Sequence, residues 1–220
     1  IPTPMDDNPS STYFGFGLGN ASGSVHTSIT PSNIVLDKGL DGPVGGVYFG
    51  WGIQLPYQVY AAGELLFDGS ATDGGNEASD PADSYRYKLA SSYGARGLVG
   101  GYMARGDTLY LHYGFIRSKF ERSGDNQSSE VGVNFSKTYQ TFKPRYGMGF
   151  AMPNGENTQL RYEYGYTPSY GLVKTTAQDA ATAVTSTFIH EAKSHDFKVA
   201  FSYFMSPFPR DPHHYAPIRA

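Results

Sequence analysis

The chain has 220 residues, enough for one large all-β domain or two small ones, and a formal charge of −3 that gives no reason to expect a nucleic-acid partner. It has no cysteine, which excludes disulfide scaffolds, Cys-based zinc sites and thiol nucleophiles. Apolar content is 39%, while Tyr (18), Phe (14) and Gly (27) are abundant, a mixture that suits many strands with tight turns and suits long helices poorly.

The chain opens IPTPMDDNPSS, as a mature N-terminus after export would, and residues 1–10 read as a Pro-rich arm. The first predicted strand is YFGFGLG, 13–19, in which Phe14, Phe16 and Leu18 alternate with glycine. In the second, 44–53, Val47, Phe49, Trp51 and Ile53 share a face; Gly46, Tyr48, Gly50 and Gly52 share the other. In the third, 58–67, Val59, Ala61, Gly63, Leu65 and Phe67 alternate with Tyr60, Ala62, Glu64 and Leu66.

The fourth spans 84–103, with Tyr85, Tyr87, Leu89 and Tyr93 opposing Arg86, Lys88 and Arg96, and a glycine bulge expected in GLVGGYM. The fifth, 108–116, puts Leu109, Leu111, Tyr113 and Phe115 on one face. In the sixth, 141–150, Phe142, Tyr146, Met148 and Phe150 oppose Lys143, Arg145, Gly147 and Gly149. The seventh is LRYEYGY, 160–166, with its tyrosines on one face and Arg161 and Glu163 on the other. In the eighth, 195–205, Phe197, Val199, Phe201, Tyr203 and Met205 oppose Lys198, Ala200, Ser202 and Phe204. A Pro-rich tail follows at 207–220.

Connections discriminate better than strands. Short ones at 54–57, 104–107 and 152–157 alternate with long polar ones at about 20–43, 68–84, 117–134 and 167–190. A soluble sandwich has no reason to sort loop length by end. A membrane-spanning barrel has short turns on one side and long loops on the other, which predicts an all-β, eight-stranded, antiparallel up-and-down transmembrane barrel over 11–206. No apolar run approaches the roughly 18–20 residues of a transmembrane helix, and alternation hides the apolar band of a barrel from the mean hydropathy of −0.41.

The charges Glu64, Lys143, Arg145, Arg161, Glu163 and Lys198 never share a face with the main aromatic rows. They are expected to fill the narrow interior of such a barrel, where an unpaired charge is costly and pairs such as Glu64 with Arg161 or Arg145 would form. Positive outnumbers negative among them, leaving a difference for water or loop carboxylates to cover. Trp51, Tyr57, Tyr60, Tyr102, Phe150 and Tyr203 sit near the short-turn ends and are expected to form an interfacial girdle. A soluble lipocalin-like barrel or a sandwich, with the faces reversed, is the alternative.

The aromatic–Gly strands YFGFGLG and GVYFGWG, the VYAAGELLF strand with its inward Glu64, and the terminal KVAFSYF resemble the eight-stranded outer-membrane proteins of the opacity, OmpA and OmpX type. The resemblance covers about 11–206 and is one of pattern. It implies a bacterial outer-membrane location, with lipid and lipopolysaccharide as surroundings and a structural or surface-interaction role, an extracellular ligand at the loops being the natural contact. The chain departs from the pattern at its end, where PFPRDPHHYAPIRA continues past Tyr203 and Phe204, and an OmpA-like peptidoglycan anchor is not expected.

Nucleophile–base sets are weak. Of the histidines (His26, His112, His190, His195, His213 and His214), His190 and His195 each precede an acid, but adjacent residues on a strand point to opposite faces. The adjacent His213 and His214 are a weak metal signal. No cofactor or enzyme activity is expected. Three roles follow: a structural or surface-interaction barrel with a plugged lumen, an accessory subunit of a larger envelope assembly docked through its Pro-rich arms onto a periplasmic protein, and a narrow channel or soluble ligand-binding barrel.

Overall fold

Alternation of apolar and polar residues over long stretches, with glycines on one face, dictates strands whose two faces meet different media. The computed structural model describes residues 10–30, 34–75, 83–103, 106–126, 133–168, 173–178 and 185–205. It contains β1 (Ser10–Thr30), β2 (Ile34–Leu55), β3 (Val59–Gly75), β4 (Asp83–Tyr102), β5 (Thr108–Asn126), β6 (Val133–Pro153), β7 (Thr158–Thr167), β8 (Val173–Gln178) and β9 (Thr185–Phe204). Each strand from β1 to β6 pairs antiparallel with the next, β7 pairs with β9, and β1 pairs with β9 to close the sheet. β7 and β8 lie end to end along β9, pairing with Ser194–Tyr203 and Thr185–His190 respectively, so nine strands make eight staves of an up-and-down barrel.

The long connections expected from composition are largely strand. Residues 20–30 and 34–43 continue the β1–β2 hairpin, Asn20 facing Pro43 and Ile29 facing Ile34. The Gly/Ser/Asp content that suggests loops belongs here to strands whose backbone groups are satisfied by the neighbouring strand and whose inner face buries Val25, Leu40 and Tyr87. Six strands of 19–22 residues are about twice the 9–11 residues that a membrane-spanning strand needs. On β1 the outward row is Phe14, Phe16 and Leu18, followed by Asn20 and Ser22.

Three short connections are described. Pro56–Gln58 forms a 3-10 turn that holds Tyr57 and Gln58 at positive φ, 64° and 63°. At the second, Met103 N–H donates to the Asp107 carbonyl and Gly106 N–H to the Met103 carbonyl, with Gly106 at φ 81°. At Asn154–Asn157, Gly155 takes φ 126°.

The register irregularity in β4 lies between Leu89 and Ser91, not in GLVGGYM, where Leu98 faces His112 in regular pairing. It reverses the parity of the strand: Tyr87 is buried inside while Tyr93 is exposed outside. Among the described residues, Val133–Arg145 of β6 pairs with β5 alone, because β7 faces only Tyr146–Pro153.

The two faces are inverted relative to a soluble domain. Phe16, Trp51, Leu65, Leu111, Met148 and Phe197 stand exposed on the outer surface, while Glu64, Arg96, Lys143, Arg145, Arg161, Glu163 and Lys198 are buried inside. In the seventh strand, Arg161, Glu163, Gly165 and Thr167 are buried and Tyr164 is exposed.

Candidate functional site: the charged lumen

Eight staves leave an interior that side chains can fill, and here they fill it in layers. Beside the Pro56–Gln58 turn, Tyr13, Tyr60, Tyr102 and Phe204 belong to one buried aromatic cluster. The rings of Tyr13 and Phe204 are 4.9 Å apart, and those of Tyr60 and Tyr102 are 6.0 Å apart. Inward glycines make this possible. A Cβ on Gly50 would lie 2.4 Å from Cζ of Tyr13, and one on Gly149 would lie 2.2 Å from Cζ of Tyr110.

The next layer is a four-charge network. Arg96 donates from Nε to Glu64 Oε2 (2.6 Å) and from Nη2 to Glu163 Oε1 and Oε2 (2.8 and 3.0 Å). Arg161 donates from Nη1 to Glu64 Oε1 at 2.6 Å and from Nη2 to Glu163. Tyr13 donates to Glu64 at 2.7 Å, and Tyr110 donates to Glu163 at 2.6 Å and accepts from Arg161 Nε at 3.0 Å. The Arg161 guanidinium also lies 4.8 Å from the Tyr48 ring centroid. Two cations and two carboxylates, each hydrogen-bonded, meet the condition under which buried charges are tolerated.

A second balanced set sits further along the lumen. Arg145 donates to Asp68 Oδ2 at 3.0 Å and to Asp196, and Lys198 donates to the other Asp68 oxygen. Beyond it, Lys143 donates to the Ala192 carbonyl at 2.6 Å, and its ammonium lies 5.1 Å from the Phe120 ring centroid. Ala192 falls between the stretches of β9 that pair with β7 and β8. Lys143 and Arg145 also border a cavity of about 40 Å³ lined by Ser92, Ser118 and Thr167, a volume for one or a few waters.

All six charges singled out in the sequence lie in this interior. Glu64 pairs with Arg161, and Arg145 pairs with Asp68 and Asp196 instead of Glu64. Sequence reasoning missed Arg96, Asp68 and Asp196 as members. Asp68 repeats the parity of Glu64, and Asp196 that of Lys198, so period two carried a signal that loop-like composition hid. Four strand carboxylates pair with four of the five buried cations, and the fifth, Lys143, donates to the Ala192 carbonyl.

Of the expected girdle, Trp51 and Tyr203 are exposed on the outer surface, Phe150 is half-buried on an outward row, and Tyr57 is exposed at its turn. Tyr60 and Tyr102 are corrections: both are buried in the lumen. Tyr60 shares the parity of Glu64, and Tyr102 that of Arg96, so their face outweighs their nearness to a strand end. His112 is also internal, its Nε2 at 3.2 Å from the Tyr164 carbonyl oxygen. Among the described residues no group of three or more His, Asp or Glu is placed to hold a metal. His213, His214 and both Pro-rich arms lie outside the described residues.

No protein-family model matches the chain, and no curated protein resembles it in sequence. Among solved structures, the outer membrane protein OprG of Pseudomonas aeruginosa superposes with a TM-score of 0.58 at 10% identity, over 92% of this chain and 100% of that one. Ail, the attachment invasion locus protein of Yersinia pestis, gives 0.43 at 11% identity, over 88% and 98%. Neisserial surface protein A gives 0.39 at 11%, over 86% and 96%. The fold is therefore that of a small outer-membrane β-barrel with buried polar residues in its lumen.

Proposed function

We propose that the chain is an outer-membrane barrel whose wall meets lipid, whose lumen is a polar plug, and whose role is structural or surface-interacting. One observation carries this reading: large apolar side chains stand exposed on the outward rows of the strands, while five cations and four carboxylates are buried inside. Water on the outside would leave those side chains with no partner, and bilayer hydrocarbon covers them. The fold likeness to OprG supports the same location. Trp51, Phe150 and Tyr203 then mark the interface at the short-turn end, and the polar outer halves of the hairpins become the contact surface for an extracellular ligand.

The test is fractionation of native cells followed by gel electrophoresis of boiled and unboiled outer membranes. A band in that fraction whose mobility shifts on boiling is the expected result. A soluble band without a shift overturns the proposal.

A further inference from the structure

The outer face of the barrel is not smooth. A depression of about 820 Å³ crosses the apolar band between β4 and β9. The exposed Gly97 leaves its floor open, and Tyr113, Tyr146, Tyr164 and Tyr166 are among its walls. The space at Gly97 is open, since an added Cβ would meet nothing nearer than 3.9 Å. One end is polar. The Tyr164 hydroxyl is hydrogen-bonded to His195 Nδ1, and the Tyr166 ring lies 4.6 Å from the His195 ring. Lys193 follows two residues along β9, with the same parity as His195 and exposed.

An apolar trough that ends at the His195 imidazole, with the exposed Lys193 two residues further along the same row of β9, is complementary to a molecule with hydrocarbon along its length and an anionic phosphate at one end. We infer that the groove holds an anionic phospholipid, its acyl chains over Gly97 and between the tyrosines, and its phosphate at His195 and Lys193. This rests on the membrane location proposed above.

Gly97→Phe fills the groove from its floor. Gly69→Phe is the control: it too is exposed, lies on β3 outside the groove, and has no atom within 3.9 Å of an added Cβ. The full chain is placed in nanodiscs of mixed phosphatidylglycerol and phosphatidylcholine, released, and weighed by native mass spectrometry. Wild type and Gly69→Phe are expected to retain phosphatidylglycerol, and Gly97→Phe to retain about tenfold less. Lys193→Ala is expected to retain both lipids equally. A phosphatidylglycerol adduct on Gly97→Phe equal to wild type, or none on wild type, overturns the inference. The boiling shift of each sample separates the two readings: an inserted, heat-modifiable wild type without an adduct defeats the groove alone, and a chain that never inserts defeats the membrane reading as well.

Discussion

Arg161 and Glu64 meet across the lumen with Nη1 2.6 Å from Oε1, although 97 residues separate them in sequence. Arg161 lies directly across β7–β9 from Ala200, and Glu64 lies directly across β3–β4 from Arg96. The contact therefore exists only because the barrel closes. Replacing Arg161 by Met leaves Glu64 and Glu163 to share Arg96, and an uncompensated buried charge of this kind costs about 3–5 kcal/mol. The urea midpoint of the detergent-folded barrel should fall accordingly. The double variant Arg161→Met/Glu163→Leu keeps the Glu64–Arg96 pair, and its loss should be smaller than the sum of the single losses by about 0.5–3 kcal/mol. Additive losses would mean that the residues do not act as a network.

The inward glycines are spacers for tyrosine rings. Gly50→Val should place its Cβ 2.4 Å from Cζ of Tyr13, forcing that ring off Glu64. Overpacking predicts about 1–3 kcal/mol of destabilisation. Adding Tyr13→Ser to Gly50→Val should relieve the clash. If Gly50→Val unfolds at the wild-type midpoint, the steric account is wrong.

Trp51 is the only tryptophan, and it is half exposed on the outer surface. It is a built-in probe of what that surface touches. In vesicles of brominated lipid its fluorescence should be quenched strongly, and soluble acrylamide should quench it weakly. The opposite order would put water against the outer face.

The proposed polar plug, an eight-staved interior filled by side chains where porins with an aqueous channel have about sixteen strands, predicts a closed lumen. Planar bilayers containing the folded chain should therefore show no stepwise conductance. Arg145→Ala should also be silent, because the Glu64/Arg96/Arg161/Glu163 network and the aromatic cluster still block the bore. Stable unitary currents from wild type would overturn the plugged reading.

Period-two sorting in the sequence determined which residues share a face: Arg161 with Glu163, Phe14 with Phe16, and Lys198 with Ser202. That alternation is local geometry and needs no knowledge of the fold. It therefore placed all six charges together, and it would have placed Tyr60 and Tyr102 inside had their parity been weighed above their position near a strand end. Tertiary structure decided the rest. Partner choice inside the lumen depends on register and closure, which bring Asp68, Arg145 and Asp196 together from three strands. Strand length in the polar halves depends on backbone pairing, which composition does not report, so Gly-, Ser- and Asp-rich hairpins looked like loops. The irregularity between Leu89 and Ser91 turns Tyr87 to the inner face and Lys88 to the outer one. The outer groove depends on where the bare Gly97 and tyrosine rings from β5 to β7 fall beside one another, a relation among strands that no single stretch contains.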